Sequence, residues 1–289
     1  MTRIKFSRKQ GKSVQNKTIT IAYTPDSDDV FNFYAWEHGV LSLPGYDPVF
    51  SRNHIAKLNQ DALNGVHDVV AVSSVMYPLL EKDYWILAVG SSVGRGYGPV
   101  LVSKNHHTME SLAGCRIGVA GKHTTGGMLA AMFAPTDATL IELPYDKIAE
   151  QILCGDLDAG VMIHEELVYY PKLGLECVCD LGNSWCQDTG LPLPVGLSLV
   201  KKSLGHTVAV EIARVCRDSL LWGIEHPETA MGYANGFGRG CSDTFVPMFS
   251  NTDTLRLPDD ARRGLDVLFD RLAKLNLMPE MLGYEIIDA

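Results

Sequence analysis

The sequence predicts an α/β protein of two lobes of similar plan whose functional strand ends face a shared cleft, and three observations carry that prediction. The first is an internal echo: ALNGVHDVVAVSSV and QILCGDLDAGVMIHE align so that Leu63 falls on Leu153, Gly65 on Gly155, Asp68 on Asp158 and Ser74 on His164. Both read as a helix end, a Gly-x-x-Asp turn, a buried strand and a polar group at its carboxyl end, which marks a repeated structural unit. The second is CRIGVAGKHTTGGML (115–129), which repeats the strand, polar loop and helix start of residues 19–33. The third is a pair of runs suited to crossing between lobes: glycine-rich residues 90–104, and residues 189–202, where Pro192 and Pro194 fix an extended path. The expected division is a basic flexible tail at 1–17, the first part of lobe I at 18–103, lobe II at 104–196, and the return to lobe I with C-terminal helices at 197–289.

In chain order, residues 19–23 alternate as a strand, Pro25 and the cluster Asp26, Ser27, Asp28, Asp29 supply a turn and N-cap chemistry, and an aromatic helix follows. A strand near residues 48–51 precedes a helix near residues 55–63 and the strand of VVAVSS. In the second half, Ala159, Gly160, Val161, Met162 and Ile163 form a short uncharged run, which is how a strand buried on both faces reads. Beyond Lys202 the periodicity is helical, with Ile212, Val215, Cys216 and Leu220 on one face and Leu265, Leu268, Phe269 and Leu272 on another. These helices are expected to pad the first lobe.

Composition excludes several classes. A chain of 289 residues with 46% hydrophobic and 20% charged residues is an ordinary globular one, long enough for two cores. Its net charge of −9 argues against a nucleic-acid surface. The exception is the N-terminal segment with Arg3, Lys5, Arg8, Lys9, Lys12 and Lys17, which lacks an apolar core and reads as a solvated tail rather than a secretory signal. No apolar run approaches the roughly 18–20 residues of a membrane span, so a soluble protein is expected. Seven cysteines without a Cys-x-x-Cys spacing fit neither a disulfide framework nor a zinc site, and a reducing cytoplasm is the consistent compartment. Cys177 and Cys179 alternate on a strand and are expected to be buried thiols.

Several positions could carry chemistry. His164 stands just past a strand end, where open α/β sheets bind ligands, and an imidazole there suits a general base or a structural hydrogen bond. Either Glu165 or Glu166 could orient that ring. GKHTTGG (121–127) puts His123, Thr124 and Thr125 at a helix start, a setting that attracts carboxylates or phosphates and is also served by simple N-capping. No Walker motif and no Gly-x-Gly-x-x-Gly after a strand occurs, which argues against nucleotide phosphates. Asp26, Asp28 and Asp29 lack the continuation of a calcium loop, so one of them is expected to accept hydrogen bonds from substrate while the others cap the helix. Ser73 and Ser74 lack a nucleophile elbow and suit ligand hydrogen bonding. Arg95, in GRGYGP, could balance an anionic substrate or stand as a solvated loop charge.

TPDSDDVFNFY, GRGYGP, GKHTTGG, DAGVMIHE, DLGNSW and TGLPLPVG, in this order, resemble the menaquinone-biosynthesis relatives of type II periplasmic binding proteins, and among them the 1,4-dihydroxy-6-naphthoate synthases of the futalosine pathway. The resemblance implies two α/β lobes, each with a central mixed sheet flanked by helices, joined by two strands around a ligand cleft. It implies a cofactor-independent and metal-free lyase that converts cyclic dehypoxanthinylfutalosine to 1,4-dihydroxy-6-naphthoate. The family's catalytic base falls on His164, its first-turn aspartate on Asp29, its strand-end serine on Ser73, and its threonine loop on Thr124, Thr125 and Gly126. One departure stands out: Asp28 occupies a place where many relatives carry asparagine. The expected partner is a small carboxylate substrate, with no nucleic acid or membrane, on a monomer or homodimer. The competing classes are a small-carboxylate binding protein, against which the lack of a signal peptide counts, and the sister chorismate dehydratase, against which the Ile-His-Glu motif counts.

Overall fold

The computed structural model describes residues 16–289; the basic N-terminal segment otherwise lies outside the described residues, apart from Lys17, which opens the first strand. The chain runs β1 (Lys17–Tyr23), α1 (Ser27–Glu37), β2 (Tyr46–Arg52), α2 (Ile55–Leu63), β3 (Val69–Ser73), a 3-10 turn and the short α3 (Tyr77–Leu80), β4 (Tyr84–Leu87) and β5 (Ser92–Gly94). It continues through β6 (Val100–Ser103), β7 (Arg116–Val119), α4 (Thr125–Phe133), β8 (Thr139–Glu142), α5 (Tyr145–Cys154), β9 (Ala159–Met162), the short α6 (Glu166–Tyr169), β10 (Glu176–Asp180) and α7 (Leu181–Thr189). It returns along β11 (Leu193–Lys201) to α8 (His206–Glu225), α9 (Pro227–Ala234), α10 (Ser242–Phe249), α11 (Thr252–Leu255), α12 (Asp259–Lys274) and β12 (Ile286–Ile287).

Two mixed sheets result. The first is seven-stranded, in the order β12-β4-β11-β3-β1-β2 with β5 paired to β11, and the second is five-stranded, in the order β10-β6-β9-β7-β8. β1 pairs in parallel with β2 and β3, as β7 does with β8 and β9. In each sheet the central strand, β3 or β9, then meets an antiparallel strand, β11 or β6, that enters from the other half of the chain. The echo in the sequence is therefore a repeat of topology. It places the carboxyl ends of β3 and β9, and so Ser73 and His164, on the same gap.

Local chemistry explains the elements that frame this gap. Helix α2 buries Ile55, Leu58 and Ala62 at helical spacing. Helix α5 buries Tyr145, Ile148 and Ile152 and stops at Gly155, whose φ of 87° is a left-handed C-cap that glycine adopts without a Cβ penalty. β9 is buried along its whole length, as its uncharged run requires. The periodic residues of α8 and α12 are buried against the first sheet and α1, as expected.

Sheet membership changes upstream of the expected limits. β6 already belongs to the second sheet although it precedes residue 104, and β11 is in the first sheet from Leu193, before residue 197. The two crossing strands also pair with each other, Leu193 opposite Gly94 and Gly196 opposite Ser92, with an irregularity beside Pro194, which has no N–H to give. The expectation of buried thiols is wrong for Cys177, which is exposed, and for Cys179, which is half-buried. The reason is that β10 is an edge strand of the second sheet.

Candidate active site

A cavity lies where the two sheets meet, with Thr24, Asp28, Asp29 and Ser73 on the first-lobe side and Thr124, Thr125, Gly126 and His164 on the other. Pro99 and Val195 from the two crossings and the rings of Phe245 and Phe249 in α10 complete its wall. Its internal free space is about 80 Å³.

His164 follows β9 in a left-handed backbone conformation, φ 55°, an uncommon one for a residue with a Cβ. That twist turns the ring across to the first lobe, where Nδ1 lies 2.8 Å from Asp26 Oδ2. The approach is short but not aligned as a hydrogen bond, so it acts chiefly as an ion pair. Tyr145 from α5 packs its ring 4.9 Å from the imidazole and its hydroxyl 3.4 Å from Asp26 Oδ1. Nε2 is buried and has no hydrogen-bond partner among the described residues. Burial works against a charged imidazole, yet the facing Asp26 carboxylate, foremost among the acids around it, outweighs that penalty and pushes its pKa up to about 9. Burial likewise works against the Asp26 anion, and His164 and the surrounding hydrogen bonds hold that carboxyl below its ordinary range.

The neighbouring carboxyls are bound differently. Asp29 Oδ2 accepts hydrogen bonds from the Thr24 backbone N–H at 3.0 Å and the Thr24 hydroxyl at 2.7 Å. Ser73 is held by Asn59 of α2, whose amide accepts from the Ser73 N–H at 2.9 Å and donates to its Oγ at 3.1 Å. The same Asn59 nitrogen donates to the His123 carbonyl at 3.1 Å, which ties the two lobes.

At the start of α4, Thr124 accepts from the Gly127 N–H and donates to the Gly121 carbonyl, while Thr125 donates to the Val195 carbonyl at 2.7 Å. Both hydroxyl protons are thus engaged by the protein. What remains for an anion is the pair of first-turn N–H groups, of Thr125 and Gly126, which no helix bonds internally. Gly126 lets this first turn pack closely on β9, since a Cβ would come within 3.0 Å of Val161 and 3.1 Å of Ile163.

The sequence profile described as menaquinone biosynthesis matches residues 19–274. The chain belongs to that family. This menaquinone-biosynthesis chain is 31% identical over 258 residues to the 1,4-dihydroxy-6-naphthoate synthase of Thermus thermophilus, covering 88% of this chain and 93% of that protein. A solved protein of Archaeoglobus fulgidus superposes with a TM-score of 0.85 at 36% identity, covering 90% of this chain and 98% of that one. The alkanesulfonate-binding protein SsuA of Xanthomonas axonopodis, at 12% identity and a TM-score of 0.72, covers 95% of this chain and 99% of its own and shares the type II periplasmic-binding-protein-like fold.

Of the site residues expected in this menaquinone-biosynthesis chain, His164, Asp29, Ser73, Thr124, Thr125 and Gly126 all line the cavity. Three others lie outside it. The Arg95 guanidinium pairs with Asp253 at 2.6 Å and Asp260 at 2.7 Å, away from the cavity. The His123 side chain is exposed and only its carbonyl takes part. Ser74 is fully buried outside the cavity wall, in the turn after β3, with a partnerless hydroxyl. The reading of the acids also changes. Asp26, not Glu165 or Glu166, faces the imidazole, and it makes no side-chain cap bond although it sits at the N-cap of α1. Glu165 instead accepts from Ser27, from the Ser242 hydroxyl at 3.0 Å and from the Arg239 N–H, and Glu166 pairs with Arg239 at 2.7 Å. Burial lifts the Glu166 carboxyl to about 7 despite that cation. Asn59, Tyr145 and Phe245 were not foreseen. The one signal for Asn59 was a polar residue on the apolar face of α2.

Among the described residues, no group of three or more His, Cys, Asp or Glu side chains is arranged to hold a metal, and no helix is long and apolar enough to cross a membrane.

Proposed function

We propose that this chain is the enzyme of menaquinone biosynthesis that converts cyclic dehypoxanthinylfutalosine to 1,4-dihydroxy-6-naphthoate, a lyase working in the cytoplasm without a cofactor, with His164 as its general base. The observation that carries this reading is the imidazole itself. One nitrogen is anchored by Asp26 of the opposite lobe, while the other, buried at the cavity wall, lacks a partner among the described residues. An orienting carboxylate behind a free ring nitrogen is the arrangement a base needs.

In the reaction, His164 Nε2 takes the proton of a sugar-derived hydroxyl. That oxygen becomes a carbonyl as the adjacent carbon–carbon bond breaks, and the other carbon keeps the electron pair as the naphthalene ring gains aromaticity. The substrate carboxylate rests on the N–H groups that open α4, and Ser73 and Asp29 take hydroxyls. The free space in the cavity is well below the roughly 300–1,000 Å³ of ligand pockets, so the lobes separate to admit substrate and close to exclude water.

With a pKa near 9, only about one hundredth of the ring is neutral at pH 7 in the free protein. The purified protein is expected to form 1,4-dihydroxy-6-naphthoate from the cyclic futalosine derivative, detected by mass spectrometry. His164→Ala is expected to lower kcat by about 10²–10⁴-fold with an unchanged circular dichroism spectrum. Near-normal kcat in that variant would remove His164 as the base, and absence of product from the wild type would remove the reaction.

A further inference from the structure

Three aspartates crowd the first turn of α1, and only two have company. Asp26 faces the His164 imidazole, and Asp29 accepts two hydrogen bonds from Thr24. Asp28 has neither. It is 6% exposed, it lines the cavity, and its Oδ1 is fully buried with no hydrogen-bond partner among the described residues. Among those residues no side chain donates to its carboxyl, and the Asp29 backbone N–H is the one weak donor that favours its charged form. An ionised carboxylate in such a place would carry a desolvation penalty that this single contact does not offset.

We propose that Asp28 is a neutral carboxylic acid in the resting protein and that its O–H donates a hydrogen bond to an oxygen of the ligand held beside His164. The ligand half of this statement rests on the reaction proposed above; the protonation half rests on the site alone. The ionisable groups around Asp28 support it. Asp26 and Asp29 on its own turn repel a third negative charge, and Glu165 and Glu166 at the start of α6 add acids nearby. The cations are already matched, His164 to Asp26 and Arg239 to Glu166, and Tyr145 of α5 is neutral. Burial first, and then the charges of Asp29 and Asp26, push the Asp28 carboxyl well above the usual carboxylate range, and His164 only partly counters them.

A proton on Asp28 adds a second donor to the first-lobe wall beside the Ser73 hydroxyl, whose own proton no group of the described residues takes. Asp29 takes hydrogens from ligand hydroxyls, whereas a carbonyl or ether oxygen needs a donor. The α4 N–H groups sit on the opposite lobe, so Asp28 would supply that donor on the turn that carries Asp26 and faces His164. It is therefore a specificity-determining group for a ligand carrying an oxygen acceptor near the bond that reacts.

Two measurements on the full chain test this. The infrared difference spectrum between wild type and Asp28→Asn at pH 7 is expected to show the carbonyl band of one protonated carboxyl, present only in the wild type; its absence overturns the proposal. Asp28→Ser serves for the same difference if the asparagine variant does not fold. The second measurement is KM for the cyclic futalosine derivative against pH. Asparagine keeps an N–H donor that cannot ionise, so the ratio of wild-type KM to Asp28→Asn KM is expected to climb by about tenfold per pH unit once Asp28 loses its proton. A ratio that stays flat across the pH at which the wild-type infrared band disappears overturns the donor role. Because the infrared measurement uses no substrate, a protein without turnover would sink the lyase reading while the band still decided the protonation of Asp28.

Discussion

His164 shows how far a side chain can be moved from its solution behaviour by what faces it. Its ring is buried, which alone would favour the neutral form, and the opposing carboxylate reverses that balance. Its kcat/KM is therefore expected to rise with pH and level off near pH 9, because kcat/KM reports the free enzyme. Asp26→Asn is expected to move that rise toward acid and to lower kcat, since the ring loses both its counter-charge and its anchor. A wild-type profile already flat at pH 7 would contradict the ion pair. Stability follows the same groups. His164 is raised from 6.5 to about 9, Glu166 from 4.5 to about 7, and Asp28 in the same direction, so the folded chain binds more protons than the unfolded one across this range. The linkage sign is then negative: stability present at pH 6.5 is lost as pH rises through 9, and the thermal midpoint should fall over that window. A midpoint that rises between those pH values would show that the cluster is charged otherwise.

At the scale of elements, the segment between α9 and α10 holds the start of α6 against α1 through Glu165, and it can do so because residue 238 is glycine. A Cβ there would press on the Ser242 hydroxyl and the Glu165 carboxylate. Glu165→Ala removes the acceptor from Ser27, Ser242 and the Arg239 N–H in a buried place, at a cost of about 3 kcal/mol. Urea unfolding should show that loss, and Gly238→Ala should act in the same direction. An unchanged urea midpoint in both variants would mean the clasp contributes nothing. The neighbouring elements were easier to foresee. The helical spacing of Ile55, Leu58 and Ala62 marked α2, and Gly155 marked the end of α5, because periodicity and chain stops are local properties.

For the whole molecule, the paired crossing strands and the C-terminal helices make the first lobe and its connections one packed unit. Arg95 belongs to that unit: it follows the end of β5 and grips Asp253 in α11 and Asp260 in α12. Being 44% exposed, the guanidinium adds only modestly, so Arg95→Ala is expected to cost about 1 kcal/mol of stability and to leave KM unchanged. A raised KM with unaltered stability would return Arg95 to ligand binding. The same long-range view explains why the sequence left the role of this residue open. Both aspartates lie far along the chain, and nothing near GRGYGP announces them.

The two-lobed plan, the buried strand before His164, the helix start at Thr124 and the cavity positions of Asp29, Ser73, Thr124, Thr125, Gly126 and His164 were legible in the sequence, because burial periodicity, turn chemistry and strand-end position are set by neighbours in the chain. Tertiary structure alone decided which acid meets the imidazole, which acid is left without a side-chain donor, and where Arg95 and Glu165 are engaged. Those outcomes depend on distances between segments that are remote in sequence and on the low dielectric created when the lobes pack, and neither quantity exists until the chain has folded.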